Sequence, residues 1–125
     1  MTLEQIAQAI AHAEGFYVEG SFPQRNHNPG DLVSPPTHPG QVGVEAGKAV
    51  FGNDRAGWMA LEHQLRLIAM GMSHFYNVGM TLEQLAHVWT GGDHALNWAQ
   101  NAAIRLGVSP AWTFKQILER QVERV

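Results

Sequence analysis

Among the acidic side chains of this sequence, Glu14 has the placement that an acid catalyst needs. It ends the stretch Ile6-Ala7-Gln8-Ala9-Ile10-Ala11-His12-Ala13-Glu14, and Gly15 follows it. Leu3, Ile6, Ile10 and Ala13 recur at helical spacing, which predicts a helix that buries one face. Glu14 falls one turn beyond Ile10, at the edge of that apolar stripe and in the last turn. A helix C-terminus carries partial negative charge, and partial burial also disfavours an anion, so both effects raise the carboxyl pKa. Gly15 is suited to the left-handed conformation that closes a helix. A carboxylic acid that keeps its proton at a helix-to-loop junction is fit to protonate a glycosidic oxygen. The competing reading is a solvated carboxylate at a frayed helix end.

The second informative stretch is Arg25-Asn26-His27-Asn28-Pro29-Gly30-Asp31-Leu32. The proline holds Asn28 extended and Gly30 permits a tight turn, so the segment presents polar groups in fixed geometry, as a polar ligand requires. Equally, Asn26 and Asn28 could bond only their own backbone and serve the turn.

These residues need elements to hold them. Thr2-Leu3-Glu4-Gln5 reads as a capping box that starts the first helix, which runs to about Glu14. From Gly15 to Gly57, five of the six prolines and eight of the thirteen glycines cluster in a loop-rich lobe. Val42, Val44 and Val50 flank Glu45-Ala46-Gly47, which predicts a hairpin from about Gln41 to Phe51. Asp54 is the expected N-cap of the next helix. Trp58, Leu61, Leu65, Ile68, Met72 and Phe75 form its apolar seam, and Met59, Leu67 and Met70 add a second apolar side, so this helix is expected to be the buried axis. Thr81-Leu82-Glu83-Gln84 repeats the capping-box pattern and opens a short helix through Trp89. Asp93 is the expected cap of a helix from His94 to Leu106, with Ala95, Trp98, Ala102 and Leu106 facing in. Ser109-Pro110 is expected to start a last helix that carries Phe114, Ile117 and Leu118. The expected fold class is α+β, mostly α, as one domain over residues 1–125 with a small β-hairpin lobe and a buried central helix.

Taken in order, Glu14-Gly15 after an apolar helix, Arg25 through Leu32, Phe51, and Asp54-Arg55-Ala56-Gly57-Trp58-Met59-Ala60-Leu61 resemble the lysozyme-like lytic transglycosylases of phage particles and related cell-wall hydrolases. Trp89-Thr90-Gly91-Gly92-Asp93, Trp98 and Leu106-Gly107-Val108 continue the likeness over nearly the whole chain. Gly15 stands where soluble lytic transglycosylases and goose-type lysozymes usually have Ser, and their Gly-Leu-Met-Gln stretch is absent, so the likeness is to the phage-type branch. The resemblance implies a lysozyme-like fold, Glu14 as catalytic acid, and Asn26, Asn28 and Gly30 as part of a substrate cleft. It also makes Tyr76, Trp89 and Thr90 cleft candidates. The implied reaction is cleavage of the β-1,4 bond between N-acetylmuramic acid and N-acetylglucosamine in peptidoglycan.

A hydrolase usually needs a second carboxylate, about 5–5.5 Å from the acid when retaining and about 6.5–9.5 Å when inverting. The candidates are Glu19, Asp31, Glu45 and Asp54, of which Asp54 reads as a cap and Asp31 as a turn residue. A lytic transglycosylase works with one Glu, the substrate's N-acetyl group stabilising the cation and its 6-hydroxyl closing an anhydro ring. The single-acid reading is preferred, with a muramidase or a non-catalytic glycan-binding or virion module as alternatives. Trp58 fits the core seam, while Trp89 could stack on a sugar or pack in the core. Phe16 and Tyr17 could desolvate the acid or anchor the loop.

Composition narrows the remaining classes. A hydrophobic fraction of 45% and a charged fraction of 15% suit a globular chain. A net charge of −3 without like-charge blocks predicts neither nucleic acid nor an anionic membrane surface as partner. The seven histidines are scattered without an i, i+4 pair, so neither a metal nor a cofactor is expected. There is no cysteine and no apolar run near membrane-spanning length. The expected partner is the peptidoglycan glycan strand, met by a monomer. In the absence of an N-terminal export signal, delivery to the wall is expected from a phage particle, a holin-dependent route or a dedicated secretion system.

Overall fold

A computed structural model of the chain describes residues 1–120. It is an α+β structure, mostly α: helices α1 (Leu3–Ala13) and α2 (Phe22–Arg25), a hairpin of β1 (Gln41–Glu45) and β2 (Lys48–Phe51), and helices α3 (Asp54–Ala69), α4 (Leu82–Thr90), α5 (Ala95–Leu106) and α6 (Phe114–Glu119).

Helix α1 begins at the Thr2 and Gln5 capping box, in which each side chain accepts from the other residue's backbone N–H. It ends at Glu14, after which Gly15 turns left-handed at φ 77°. Phe16 N–H then bonds the Ala11 carbonyl at 3.0 Å and Gly15 N–H the His12 carbonyl at 3.2 Å, the paired bonds of a Schellman ending. Ile6, Ala7, Ala9, Ile10 and Ala11 are buried, and this face packs chiefly against α5, which buries Ala95, Trp98, Ala99, Ala102, Ala103 and Leu106. The alanines on both faces let the two helices approach closely.

The pair α1 and α5, rather than α3, therefore forms the centre of the core. Helix α3 buries a single face of Gly57, Ala60, Leu61, Leu65 and Ile68, while Met59, Met70, Met72 and Phe75 are exposed. It also stops earlier than its apolar seam predicts. Gly71 turns left-handed, and Met72 N–H bonds the Leu67 carbonyl at 2.8 Å, so Met72, Phe75 and Tyr76 lie beyond the helix.

Three further helix starts differ from expectation. Asn53, not Asp54, caps α3, its Oδ1 accepting from Ala56 N–H at 2.9 Å, and Asp54 instead pairs with His27 Nδ1 at 2.7 Å. Helix α5 begins after His94, which is left-handed at φ 61° and makes no side-chain cap, so Asp93 does not cap it. Helix α6 starts at a third capping box, Thr113 with Gln116, rather than at Ser109-Pro110. The intervening residues are engaged elsewhere: Pro110 and Trp112 carbonyls accept from Glu83 and Leu82 at the start of α4.

The hairpin runs from Gln41 to Phe51 as expected, with a bulge between Gln41 and Gly43 and a turn at Ala46 and Gly47, both at positive φ. Along the other edge of β2 lies the polar stretch 26–34. Phe51 N–H bonds the Asn26 carbonyl, Ala49 N–H the Leu32 carbonyl, and Ser34 N–H the Gly47 carbonyl, each at 2.9 Å. Helix α3 presses against the same stretch at Gly57, where an added Cβ would lie 1.9 Å from the His27 carbonyl oxygen. The short helix α2, capped by Ser21 inside the loop-rich lobe, has no counterpart in the expected elements.

Candidate functional site

Glu14 sits at the junction of α1 with the loop lobe, and α5 supplies its partner. Trp98 Nε1 donates to Glu14 Oε1 at 2.6 Å. Burial pushes the Glu14 pKa up to about 7, and the negative charge of Asp31 pushes the same way. The Trp98 hydrogen bond and the Lys48 charge oppose the rise without cancelling it. The carboxyl therefore holds its proton to higher pH than a free one, which suits a group that gives a proton and takes it back.

Glu14 lines an open cleft of about 340 Å³. Ala13 and Glu14 enter it from the end of α1, Asp31 and Lys48 from the loop lobe and hairpin, Trp89 and Thr90 from the end of α4, and Asp93 and His94 from the α4–α5 connection. Asn97, Trp98 and Asn101 complete it from α5. A smaller cavity of about 110 Å³ adjoins, sharing Asp31 and Trp89 and adding Phe75, Tyr76 and Val88. Trp89 stands between the two, its ring centroid 5.4 Å from that of Tyr76 and 5.9 Å from that of Trp98. Its Nε1 donates to the Gly30 carbonyl at 2.8 Å and ties the end of α4 to the loop lobe. Burial, with the Glu14 charge second, pushes the Tyr76 pKa up to about 12, so its hydroxyl remains a hydrogen-bond donor throughout the neutral range.

The sequence-derived site residues separate into two groups. Glu14, Trp89 and Thr90 share the main cleft, and Tyr76 lines the adjoining cavity. Asn26, Asn28 and Gly30, expected in the substrate cleft, line neither of these cavities. Asn28 is fully buried; its Nδ2 donates to the Leu32 and Ala49 carbonyls and its Oδ1 accepts from Leu32 N–H. That side chain fastens the turn to β2, with both amide donors engaged and no surface open to a ligand. Gly30 contributes its carbonyl to Trp89, and a Cβ there would lie 2.7 Å from Leu61 Cδ1.

Asp31, read from sequence as a turn residue, is both turn and cleft. Its backbone is left-handed at φ 48°, and its N–H bonds the Asn28 carbonyl at 3.0 Å. One carboxylate oxygen meets Lys48 Nζ at 3.0 Å, and the other is buried without a partner. The remaining candidates for a second carboxylate are engaged or remote: Glu45 pairs with Arg25, Asp54 with His27, and Glu19 is exposed outside the cleft. Trp98 was legible as an inward-facing residue but not as the partner of Glu14. The available signal was that a buried indole N–H needs an acceptor. Lys48, His94, Asn97 and Asn101 carried no signal of their own.

The aromatics after Glu14 resolve as anchors. Phe16 is buried edge-on to Trp58, ring centroids 5.4 Å apart, and Tyr17 lies over His12 at 4.2 Å with half of its surface exposed. Among the described residues no group of three or more His, Asp or Glu side chains is placed to hold a metal ion, and no helix is long and apolar enough to cross a membrane.

Comparison with protein-family models, with curated proteins and with solved structures found no match to the chain.

Proposed function

We propose that this protein cleaves the β-1,4 glycosidic bond between N-acetylmuramic acid and N-acetylglucosamine in peptidoglycan, with a lysozyme-like arrangement in which Glu14 is the acid. The observation that carries the reading is Glu14 itself, a carboxyl with its pKa raised to about 7 and hydrogen-bonded by Trp98 in an open cleft. Glu14 gives its proton to the glycosidic oxygen as the bond from that oxygen to C1 breaks. In the lytic transglycosylase form, the substrate's N-acetyl group supports the charge at C1. The Glu14 carboxylate then takes the proton of the 6-hydroxyl as that oxygen bonds C1, and a 1,6-anhydro end is released. The cycle leaves Glu14 protonated again and consumes no water.

One observation favours a hydrolytic variant. Asp31, held by Lys48, brings a second carboxylate into the same cleft, and hydrolytic glycosidases work with a pair. Mass spectrometry of the muropeptides released from purified walls separates the two, since anhydro ends mean transglycosylase and reducing ends mean muramidase. The same digest with Glu14→Gln tests the reading as a whole. Clearing of walls by that variant sinks the assignment of Glu14, and binding without cleavage by the unaltered protein means a glycan-binding module. Such an enzyme acts at the bacterial cell wall.

A further inference from the structure

The proposed cleft does not end at Glu14. Asn101 lines it and also lines a neighbouring cavity of about 610 Å³ formed with His12, Ile104 and Arg105. Along α5, Asn97, Asn101 and Arg105 repeat at helical spacing on one face, all three exposed polar side chains, and the exposed His94 precedes the first turn. The adjacent buried face carries Trp98, the partner of Glu14. A track of hydrogen-bonding groups thus runs along the helix from the acid to Arg105. The carboxylates of the cleft, Glu14, Asp31 and Asp93, stand at its near end, and none lines the cavity around Arg105. Arg105 has no ion-pair partner among the described residues, in a chain whose net charge is −3. His12, at the far end, has its pKa lowered by burial and then by the Arg105 charge, so at neutral pH it offers an uncharged ring beside a guanidinium.

Resting on the glycan-cleaving reading, we infer that this face of α5 binds the peptide stem of the substrate, the Asn97 and Asn101 amides pairing with its peptide groups and Arg105 taking a free carboxylate. The dimensions agree. From Asn97 to Arg105 the helix rises about 12 Å at about 1.5 Å per residue, and an extended tripeptide spans about 10 Å at about 3.3 Å per residue. A stem attached to the muramic acid beside Glu14 therefore reaches the guanidinium with its carboxylate end. Planar amides suit peptide N–H and C=O groups, and an arginine fork suits a carboxylate.

The test compares glycan strands that carry their peptides with the same strands stripped by an amidase, followed by chromatography of the products. Arg105→Gln is expected to raise KM about tenfold on the peptide-bearing strands, with kcat unchanged and with no effect on stripped strands. Arg105→Lys should recover part of the loss. An equal change on both substrates, or none on either, overturns the inference. If the unaltered protein cleaves neither substrate, the glycan-cleaving reading has failed by itself. Titration of the labelled protein with free stem tripeptide then decides the track: shifts of the Asn97, Asn101 and Arg105 side-chain resonances support it, and unmoved resonances overturn it.

Discussion

Trp98 and Glu14 are 84 residues apart in sequence and 2.6 Å apart as donor and acceptor. The bond fixes the orientation of a carboxyl that burial would otherwise leave uncompensated, and it lowers the Glu14 pKa against the larger effect of desolvation. Removing the donor with Trp98→Phe should therefore move the Glu14 titration to higher pH. Carboxyl-carbon NMR reads this without any assumption about activity, and an unmoved titration would show that the bond does not act on the ionised form.

Glu14→Gln keeps the shape of the side chain and its ability to accept from Trp98 while removing the titrating proton. Loss of general acid catalysis should lower kcat by about 10²- to 10⁴-fold with little change in KM. On the proposed reading the active form is the protonated acid, so the rate should fall as pH rises through about 7. Asp31→Asn removes the charge that raises the Glu14 pKa and should shift that limb to lower pH; Lys48→Met removes an opposing charge and should shift it to higher pH. Limbs that move together, or not at all, would separate Glu14 from the observed titration.

The same group links the site to stability. Its pKa rises from 4.5 in the unfolded chain to about 7 when folded, so the native state binds more protons between those values. Stability should then fall as pH rises from about 4.5 to about 7, and above that the full cost of at most about 3 kcal/mol is present. Glu14→Gln escapes this cost. Chemical denaturation should show the variant more stable than the parent at pH 8, with the difference vanishing by pH 4; a difference independent of pH would mean that Glu14 ionises freely in the native state.

How much of this was legible in the sequence follows from the range of the interactions. Local rules located the Thr2 and Thr81 capping boxes, the Gly15 and Gly107 helix ends and the hairpin, because each depends on neighbours within a few residues. The end of α3 was misjudged because the apolar spacing continues through Met72 and Phe75, whereas Gly71 closes the helix before them. Asp31 was read by its turn chemistry, which is correct, and its place in the cleft depends on Lys48 and on the docking of stretch 26–34 against β2. Asn28 shows the converse. Its polarity suggests a ligand contact, but the backbone groups of Leu32 and Ala49 engage its amide and the side chain is fully buried.

Asn28 therefore belongs to folding rather than to the site. Asn28→Ala strips partners from the Leu32 N–H, the Leu32 carbonyl and the Ala49 carbonyl in a fully buried place, although the Leu32 carbonyl still accepts from Ala49 N–H. The expected loss is about 3–5 kcal/mol, measured by urea denaturation. Activity per folded molecule should change far less than for Glu14→Gln, and a stable but inactive variant would return Asn28 to the cleft.

Gly57 offers the sharpest test of how α3 supports that turn. A Cβ at this position would lie 1.9 Å from the His27 carbonyl oxygen, 3.0 Å from its carbon and 2.8 Å from Pro29 Cδ. The first two are backbone atoms, which no rotamer change can move aside, so Gly57→Ala must push α3 away from the stretch that carries Asn28, Gly30 and Asp31. Helix propensity alone would favour alanine by about 1 kcal/mol. The clash should win, with a net loss of roughly 2–3 kcal/mol or more. The control is Gly71→Ala, where nothing lies within 4 Å but φ is 72°, so only the left-handed backbone is penalised, by about 1–2 kcal/mol. Equal Tm values for the Gly57 variant and the parent would mean that α3 and the turn are not held in the contact that places Asp31 beside Glu14.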